Sequence, residues 1–338
     1  MRILVLGGTG LTGPCTVREL VAAGHEVILY NRGQSAGPVP EGVARLFGIR
    51  SDLRSRSREL RALRADVVLH MTAVRSDETR AFMELFDGFA GRVVGVSSID
   101  VYAAFGRIKG TERGPPQAIP IPEEGELRRT IEPQGEAYEK LGVEREFSSR
   151  PGFPAAILRF PAVHGPRDGL RRLYPYRRRM DDGQECILIE ETAAAFRISR
   201  AFAGNAAAAV VLAVTDARAV GRIYNVAEPE ASTEREWIET VGQLAGWKGE
   251  IVAMPAEAMP DHLAVNDDLS HHLAVDSFRI RSELGYREPV SRDDGIVAAI
   301  DWERANPPAA SPTFWPIDPE KEIEALRRFR GRAGRATG

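Results

Sequence analysis

Cysteine is scarce in this chain. Only Cys15 and Cys186 occur among 338 residues, too few for a disulfide scaffold, and a reducing cytoplasm is the setting expected. Long apolar runs are missing too. The longest, Ala206 to Val214, has nine residues, whereas a bilayer span needs ~20, so no membrane partner is expected. The opening Met1–Leu6 leads straight into a glycine turn and is too short for a signal-peptide core with its own cleavage site. Charge of one sign is not in excess: 45 basic and 48 acidic residues give −3, which argues against a bulk polyanion binder and so against nucleic acid. His262 and His271-His272 lack metal-ligand spacing to a second cluster, so no metal is expected. There is no Gly-x-Ser-x-Gly elbow, no Cys–His constellation and no internal repeat. What remains, 43% hydrophobic and 28% charged residues, suits a globular chain that buries a real core. The length suggests one large or two modest domains.

The first half alternates strand-like and helix-like segments. Strands are expected at Arg2–Leu6, His25–Tyr30, Val43–Ile49, Asp66–Met71 and Arg92–Ser97, and a helix at Leu11–Ala23. Short apolar strands between helices imply a parallel sheet covered on both faces. The pattern then breaks. Gly106–Pro133, rich in Gly, Pro and charge, reads as a long loop or lid. A helix is expected from about Glu136 to Ser149, a strand at Ala155–Phe160 and an irregular Arg-rich stretch at Gly165–Glu185. Beyond them come helices at Ser199–Thr215, Glu234–Ala245 and Asp293–Asn306, a strand at Arg222–Val226, and a frayed tail at Arg328–Gly338.

Gly7-Gly8-Thr9-Gly10-Leu11-Thr12-Gly13 follows the first strand and opens the first helix. Gly7, Gly10 and Gly13 form a G-x-x-G-x-x-G variant of the dinucleotide fingerprint. The chain must turn tightly, approach a pyrophosphate closely and pack helix on strand, and side chains obstruct each of these. The helix N-terminus offers free N–H groups to the phosphates. The second strand ends in Tyr30-Asn31-Arg32-Gly33 with no acidic residue to accept from an NAD ribose. Arg32 would pair with a 2′-phosphate instead, which tilts the cofactor NAD(P) toward NADP. Asp52-Leu53 either flanks the adenine or, for Asp52, merely caps the next helix.

The glycine loop is joined by Val68–Ala73, by Val96-Ser97-Ser98-Ile99-Asp100-Val101-Tyr102, by Lys140-x-x-x-Glu144 and by Arg159–Pro166, with a late Asp276–Tyr286 segment and Asp301-Trp302. In this order they resemble the extended short-chain dehydrogenase/reductase superfamily, in its NAD-dependent epimerase/dehydratase branch, from Met1 to about Trp302. The resemblance implies an α/β fold: a Rossmann-type doubly wound parallel sheet with a smaller, mixed α/β C-terminal substrate domain. The expected division is 1–165 with about 201–230 for the cofactor, about 166–200 with 231–320 for the substrate, and 321–338 as tail. The resemblance further implies that Ser98 bonds the substrate oxygen. Lys140 would hold the nicotinamide ribose and lower the pKa of a catalytic Tyr. Thr72 and Ala73 would line the cofactor, and Pro161 to Val163 would pass the nicotinamide. A homodimer through the helices before and at Glu136–Ser149 is implied as well.

One departure sits at the centre. The superfamily pattern is Tyr-x-x-x-Lys, but four residues before Lys140 stands Glu136, and the nearest tyrosine is Tyr138. In a regular helix positions i and i+2 are ~200° apart and point away from one another. Either the helix starts late and Tyr138 swings in from its first turn, or the phenol is absent and Glu136, Tyr102 or a residue of the 106–133 loop serves as acid/base.

Arg171, Arg172, Arg177, Arg178 and Arg179 crowd one short stretch with Tyr174 and Tyr176 between them, and Arg197 and Arg200 follow. Arginine suits bidentate phosphate or carboxylate binding, so Arg171, Arg177 and Arg200, with Tyr102 and His164, are candidates to meet an anionic small molecule. The null is a set of salt-bridged, solvated side chains. Cys15, near the pyrophosphate turn, reads as small buried packing. The function expected is hydride transfer at a secondary alcohol or ketone carbon of a sugar nucleotide or other anionic small molecule. Two alternatives stand beside it: an NADPH-dependent ketone reductase of specialised metabolism, and a non-catalytic cofactor-sensing or RNA-associated member of the superfamily.

Overall fold

The computed structural model describes residues 1–34, 37–130, 138–309, 312 and 315–336. Its centre is a seven-stranded, all-parallel sheet in the order β10-β6-β5-β4-β1-β2-β3. The strands are β1 (Arg2–Leu6), β2 (Glu26–Asn31), β3 (Ala44–Phe47), β4 (Val67–His70), β5 (Arg92–Ser98), β6 (Ala155–Phe160) and β10 (Ile223–Asn225). Alternate side chains of β1 show why Ile3–Leu6 is an unbroken apolar run. Ile3 and Val5 pack into one core with Val17, Leu20 and Val210. Leu4 and Leu6 pack into the opposite core with Leu60, Phe82 and Phe147. Helices α1 (Gly13–Ala22) and α8 (Ala203–Thr215) cover the first face; α2 (Ser57–Ala62), α3 (Ser76–Phe86) and α5 (Lys140–Phe147) cover the second. Strand order reverses between β1 and β4, the switch point outside whose carboxyl ends such sheets bind ligands.

A second layer joins β8 (Cys186–Glu190) to β11 (Glu250–Met254) in a parallel pair. Around it lie α6 (Tyr174–Asp181), α7 (Glu191–Ala195), α9 (Glu234–Ala245), α11 (Arg292–Ala305) and α12 (Pro319–Ala336). Trp237, Ile238, Val241, Ile296 and Ile300 form its core. β7 (Ala162–His164) pairs with β9 (Arg200–Phe202) between the layers. α4 (Ala103–Ile108) and α10 (Phe278–Leu284) complete the chain. Helix α9 runs over the residues its sequence announces. Thr233 and Glu236 form a capping box, and Gly246 at φ 78° closes the helix in the left-handed region.

Several expectations need correction. The stretch from Gly106 is no free loop as far as Thr130. It begins inside α4, Leu127 bridges to Tyr102, Ile121 bridges to Val275, and Arg128 is only 2% exposed. Residues 131–137 lie outside the described residues. Gly165–Glu185 contains α6, whose arginines are ordered by distant carboxylates: Arg177 by Glu303 and Arg179 by Glu322. The expected single helix at Ser199–Thr215 is β9 followed by α8. The end expected to fray from Arg328 is helical to Ala336, with Ala325 buried against Leu188 and Met254.

His70, at the carboxyl end of β4, is fully buried between Phe82 and Phe147. Burial pushes its pKa down to about 3, and the nearby Arg50 and Lys140 add to the effect. Below pH 6.5 the unfolded imidazole takes a proton that the folded one refuses until about pH 3. Stability therefore falls with pH through that window, by about 1.4 kcal/mol per unit for this group. Urea unfolding between pH 7 and pH 4 should show a shallower decline in His70→Leu than in the parent; equal slopes would discard the assignment.

Candidate active site

The turn after β1 builds a cleft of about 480 Å³ with Gly7, Thr9, Gly10, Tyr30, Asn31, Arg32, Ile49, Arg50, Ser51 and Thr72 on its walls. Gly7 stands at φ 102°, and a Cβ there would meet the Thr72 methyl at 2.8 Å. At Gly10 a Cβ would meet nothing within 4 Å, so the backbone lies open to a ligand. Gly13 serves packing: its Cβ would stand 2.3 Å from the Gly8 carbonyl carbon. Thr12 is the N-cap of α1 and Leu11 packs on the core behind it. Gly13→Ala should force the turn apart and abolish the rise in Tm expected of the parent with NAD(P). A preserved rise would show that the turn does not set the cradle.

Asn31 accepts from the Gly33 N–H at 2.9 Å, and its Nδ2, buried at the cleft wall, has no partner among the described residues. Arg32 is exposed on the same wall and has no ion-pair partner among the described residues. Arg50 braces the far wall, donating to Glu78 at 2.6 Å and to the Thr72 carbonyl at 3.0 Å. The Asp52 carboxylate accepts from the Ile49 N–H at 3.2 Å, and Leu53 is 1% exposed. Neither is among the described residues lining the cleft. A dinucleotide fits these residues: open backbone at Gly10, an unmet donor at Asn31 and a free cation at Arg32.

Beyond the cleft the chemistry gathers at the end of β5. Helix α5 begins at Lys140, so Tyr138 precedes it and escapes the helical i, i+2 divergence. The Lys140 Nζ lies 5.5 Å from the Tyr138 ring centre. That ammonium is buried and donates to the Ala73 carbonyl at 2.6 Å and to the Val96 carbonyl at 3.3 Å. The Tyr138 hydroxyl donates to Asp100 at 2.9 Å, and the Asp100 N–H donates to the Ser98 Oγ at 3.2 Å. Ser98, Asp100, Tyr138 and Lys140 are thus linked within one short chain of contacts. Glu136 lies outside the described residues.

Tyr102, expected among the substrate candidates, lies behind this group. It is fully buried, donates to Asn225 at 2.8 Å and accepts from Arg159 at 2.8 Å. Burial pushes its pKa up to about 12. Arg159, 1% exposed, grips Glu144 of α5 with Nε at 3.0 Å and Nη2 at 2.8 Å. This pair ties the helix of Lys140 to β6.

A second cavity, of about 380 Å³, opens beside β7. Ala162, His164, Leu170, Arg172, Tyr176, Phe196, Ile198, Arg200, Glu234, Trp237 and Trp315 line it. Pro161 and Val163, expected to pass the nicotinamide, are buried in the turn and strand that form its edge. The arginines expected to form a cationic pocket are mostly engaged with carboxylates. Arg172 donates to Asp168 at 2.8 Å, Arg177 to Glu303 at 3.1 Å and to Asp181, and Arg200 to Glu234. Arg171 lies with its guanidinium 5.3 Å from the Trp302 ring centre. Helix α6 turns Arg177 and Arg179 inward, which no count of arginines in the sequence discloses.

The NAD dependent epimerase/dehydratase family model matches residues 3–227. The chain belongs to this family. It is therefore an NAD(P)-dependent enzyme of the epimerase/dehydratase type. A 2′-dehydrokanamycin reductase from Streptomyces kanamyceticus is 29% identical over 272 residues, 78% of this chain and 72% of that protein. Among solved structures, the fold is shared with UDP-glucose 4-epimerase from Thermotoga maritima, in complex with UDP-glucose (TM-score 0.69, 20% identity, 90% of this chain and 99% of that one). It is shared as well with the dTDP-glucose 4,6-dehydratase of Bacillus anthracis, in complex with NAD (TM-score 0.67, 17% identity, 91% and 97%). The sequence singles out Tyr176 among the arginines but not Asp100, Arg50, Trp237 or Trp315, which the structure places at the end of β5 and on the walls of the two cavities. Only Asp100 left a signal, standing two residues past Ser98 where a strand-end turn brings it back.

Proposed function

We propose that this enzyme uses NADP to move hydride at a secondary alcohol or ketone carbon of a sugar, with Tyr138 as acid/base. The reading rests on one observation: the Tyr138 hydroxyl, the Ser98 Oγ and the Lys140 ammonium converge at the end of β5, next to a cleft built for a dinucleotide. Bound there, NAD(P) supplies a hydride donor or acceptor at C4 of its nicotinamide. Tyr138 gives a proton to the carbonyl oxygen in reduction and takes it from the hydroxyl in oxidation. Ser98 donates to the same oxygen and fixes the face it presents. Lys140 sets a positive charge beside the phenol, which favours the ionised phenol whenever the proton has left. Asp100 accepts from the phenol and orients it. Residues about 166–200 and 231–320 supply the sugar side.

NADP is preferred to NAD because the wall where an acid would accept from the ribose carries Arg32 and Asn31. Arg32→Ala should weaken NADPH by roughly 10–100-fold, the worth of a charged hydrogen bond, and leave NADH nearly unchanged. Equal losses for both cofactors, measured by calorimetric titration, would remove Arg32 from the 2′-phosphate.

Two kinds of sugar chemistry are in question. A nucleotide-linked sugar held through transient oxidation is supported by the fold neighbours, one of them captured with UDP-glucose. Reduction of a ketosugar is supported by the likeness to 2′-dehydrokanamycin reductase and by the carboxylate partners of Arg172, Arg177 and Arg200, and it is the reading favoured here. Consumption of added NADPH with a ketosugar tests it. Purified protein that carries stoichiometric dinucleotide and turns over none would sink it.

A further inference from the structure

The cavity beside β7 is near the reacting centre. Phe160 of β6 is the register partner of Ser98, and Ala162 follows two residues later. Adjacent strands are ~4.8 Å apart and two residues span at most ~7 Å, so the cavity's edge lies within about 12 Å of Ser98. Its walls are aromatic: Tyr176, Phe196, Trp237 and Trp315. Its charges cancel. Arg172 is matched by Asp168 and Arg200 by Glu234, and behind the wall Arg292 lies 3.4 Å from Glu228. Both guanidinium groups on the lining thus face carboxylates, and neither is left over for a diphosphate.

One polar group on the lining is unmet. His164 is 1% exposed, its ring packs on Trp237 at 5.0 Å, and its two ring nitrogens are buried with no hydrogen-bond partner among the described residues. Burial lowers its pKa, against the opposing pull of the Glu228 carboxylate. Glu228, 8% exposed, comes no closer than 3.8 Å to Nε2, and its Oε1 is likewise without a hydrogen bond. A neutral imidazole offers one donor and one acceptor. That set matches a hydroxyl or amine, which both gives and takes. It does not match a phosphate, which only accepts and calls for charged donors. A pyranosyl ring has C–H faces for the aromatic walls and a polar rim for His164.

We propose that this cavity binds a phosphate-free glycosyl ring of the substrate, stacked on Tyr176 and Trp315 and hydrogen-bonded through His164. The proposal rests on the sugar-oxidoreductase reading above and adds what the far end of that sugar carries. The substrate is then a saccharide or glycoside, with no nucleoside diphosphate on it.

Calorimetric titration of the full chain, first with NADP and then, cofactor-loaded, with saccharides, tests both levels separately. The probes are kanamycin (amine-bearing), maltotriose (hydroxyl only) and UDP-glucose. Saturable binding of kanamycin or maltotriose, tighter than UDP-glucose, is expected, and the stronger of the two says whether the ring carries amines. Trp315→Ala and His164→Ala should each weaken that saccharide about tenfold. His164→Gln, which keeps a donor and an acceptor, should restore most of the loss and guards against a variant that merely unfolds. Tighter binding of UDP-glucose, no saccharide binding to the cofactor-loaded enzyme, or binding indifferent to both His164 and Trp315 would overturn the proposal. Failure to bind NADP at all would overturn the oxidoreductase reading instead.

Discussion

Tyr138→Phe is expected to lower kcat by about 10²–10⁴, the usual worth of general acid/base help, with cofactor binding intact. The phenol is the only group of the Ser98–Asp100–Tyr138–Lys140 set that is both placed beside the ammonium and able to exchange a proton with a carbinol oxygen. Its ring remains in the phenylalanine variant, so the packing beside Lys140 persists. NADPH oxidation against a ketosugar gives the rate, and the NADPH-dependent rise in Tm reports the binding. A variant with parental kcat would transfer the proton role elsewhere. One that lost the Tm rise would show that Tyr138 shapes the cofactor site and would leave its chemical role without support.

The second large effect is on stability. Glu144→Ala strands the Arg159 guanidinium, 1% exposed, without its bidentate carboxylate. An unpaired buried charge costs about 3–5 kcal/mol, which lowers Tm by roughly 4–7 °C in a chain of this length. Because Glu144 stands one turn after Lys140 on α5, the loss should also loosen the cofactor, so a higher KM for NADPH should accompany it. The double variant Glu144→Ala/Arg159→Leu removes the stranded charge and should recover part of the Tm. If Glu144→Ala melts with the parent, the pair does not fasten the helix.

The cofactor half of this molecule is legible in its sequence because its signals are local. A glycine turn and a buried run such as Ile3–Leu6 each act within a few residues, and the structure places them where the spacing predicts. The Tyr-x-Lys ambiguity turns on where one helix starts, which is also local, yet the sequence around Glu139 carries no cap to announce it. The second half is harder because its order comes from afar. Arg179 meets Glu322 across 143 residues and Arg177 meets Glu303 across 126. An arginine run reads as surface until the chain that returns to neutralise it is seen. The same applies to Arg128, whose burial makes part of a supposed lid into a fixed wall.

The join between the layers has a mechanical consequence. A single proline, Pro161, separates β6 from β7, and β9 runs into α8 with no residue between them. Proline holds φ near −65°, so the floor that carries His164 has no slack relative to the strand that ends beside Ser98. The aromatic side chains opposite, Tyr176 and Trp315, stand on α6 and on the segment leading into α12, which no such one-residue link ties to β6. The floor thus acts as an anvil of constant height under whatever the cavity holds.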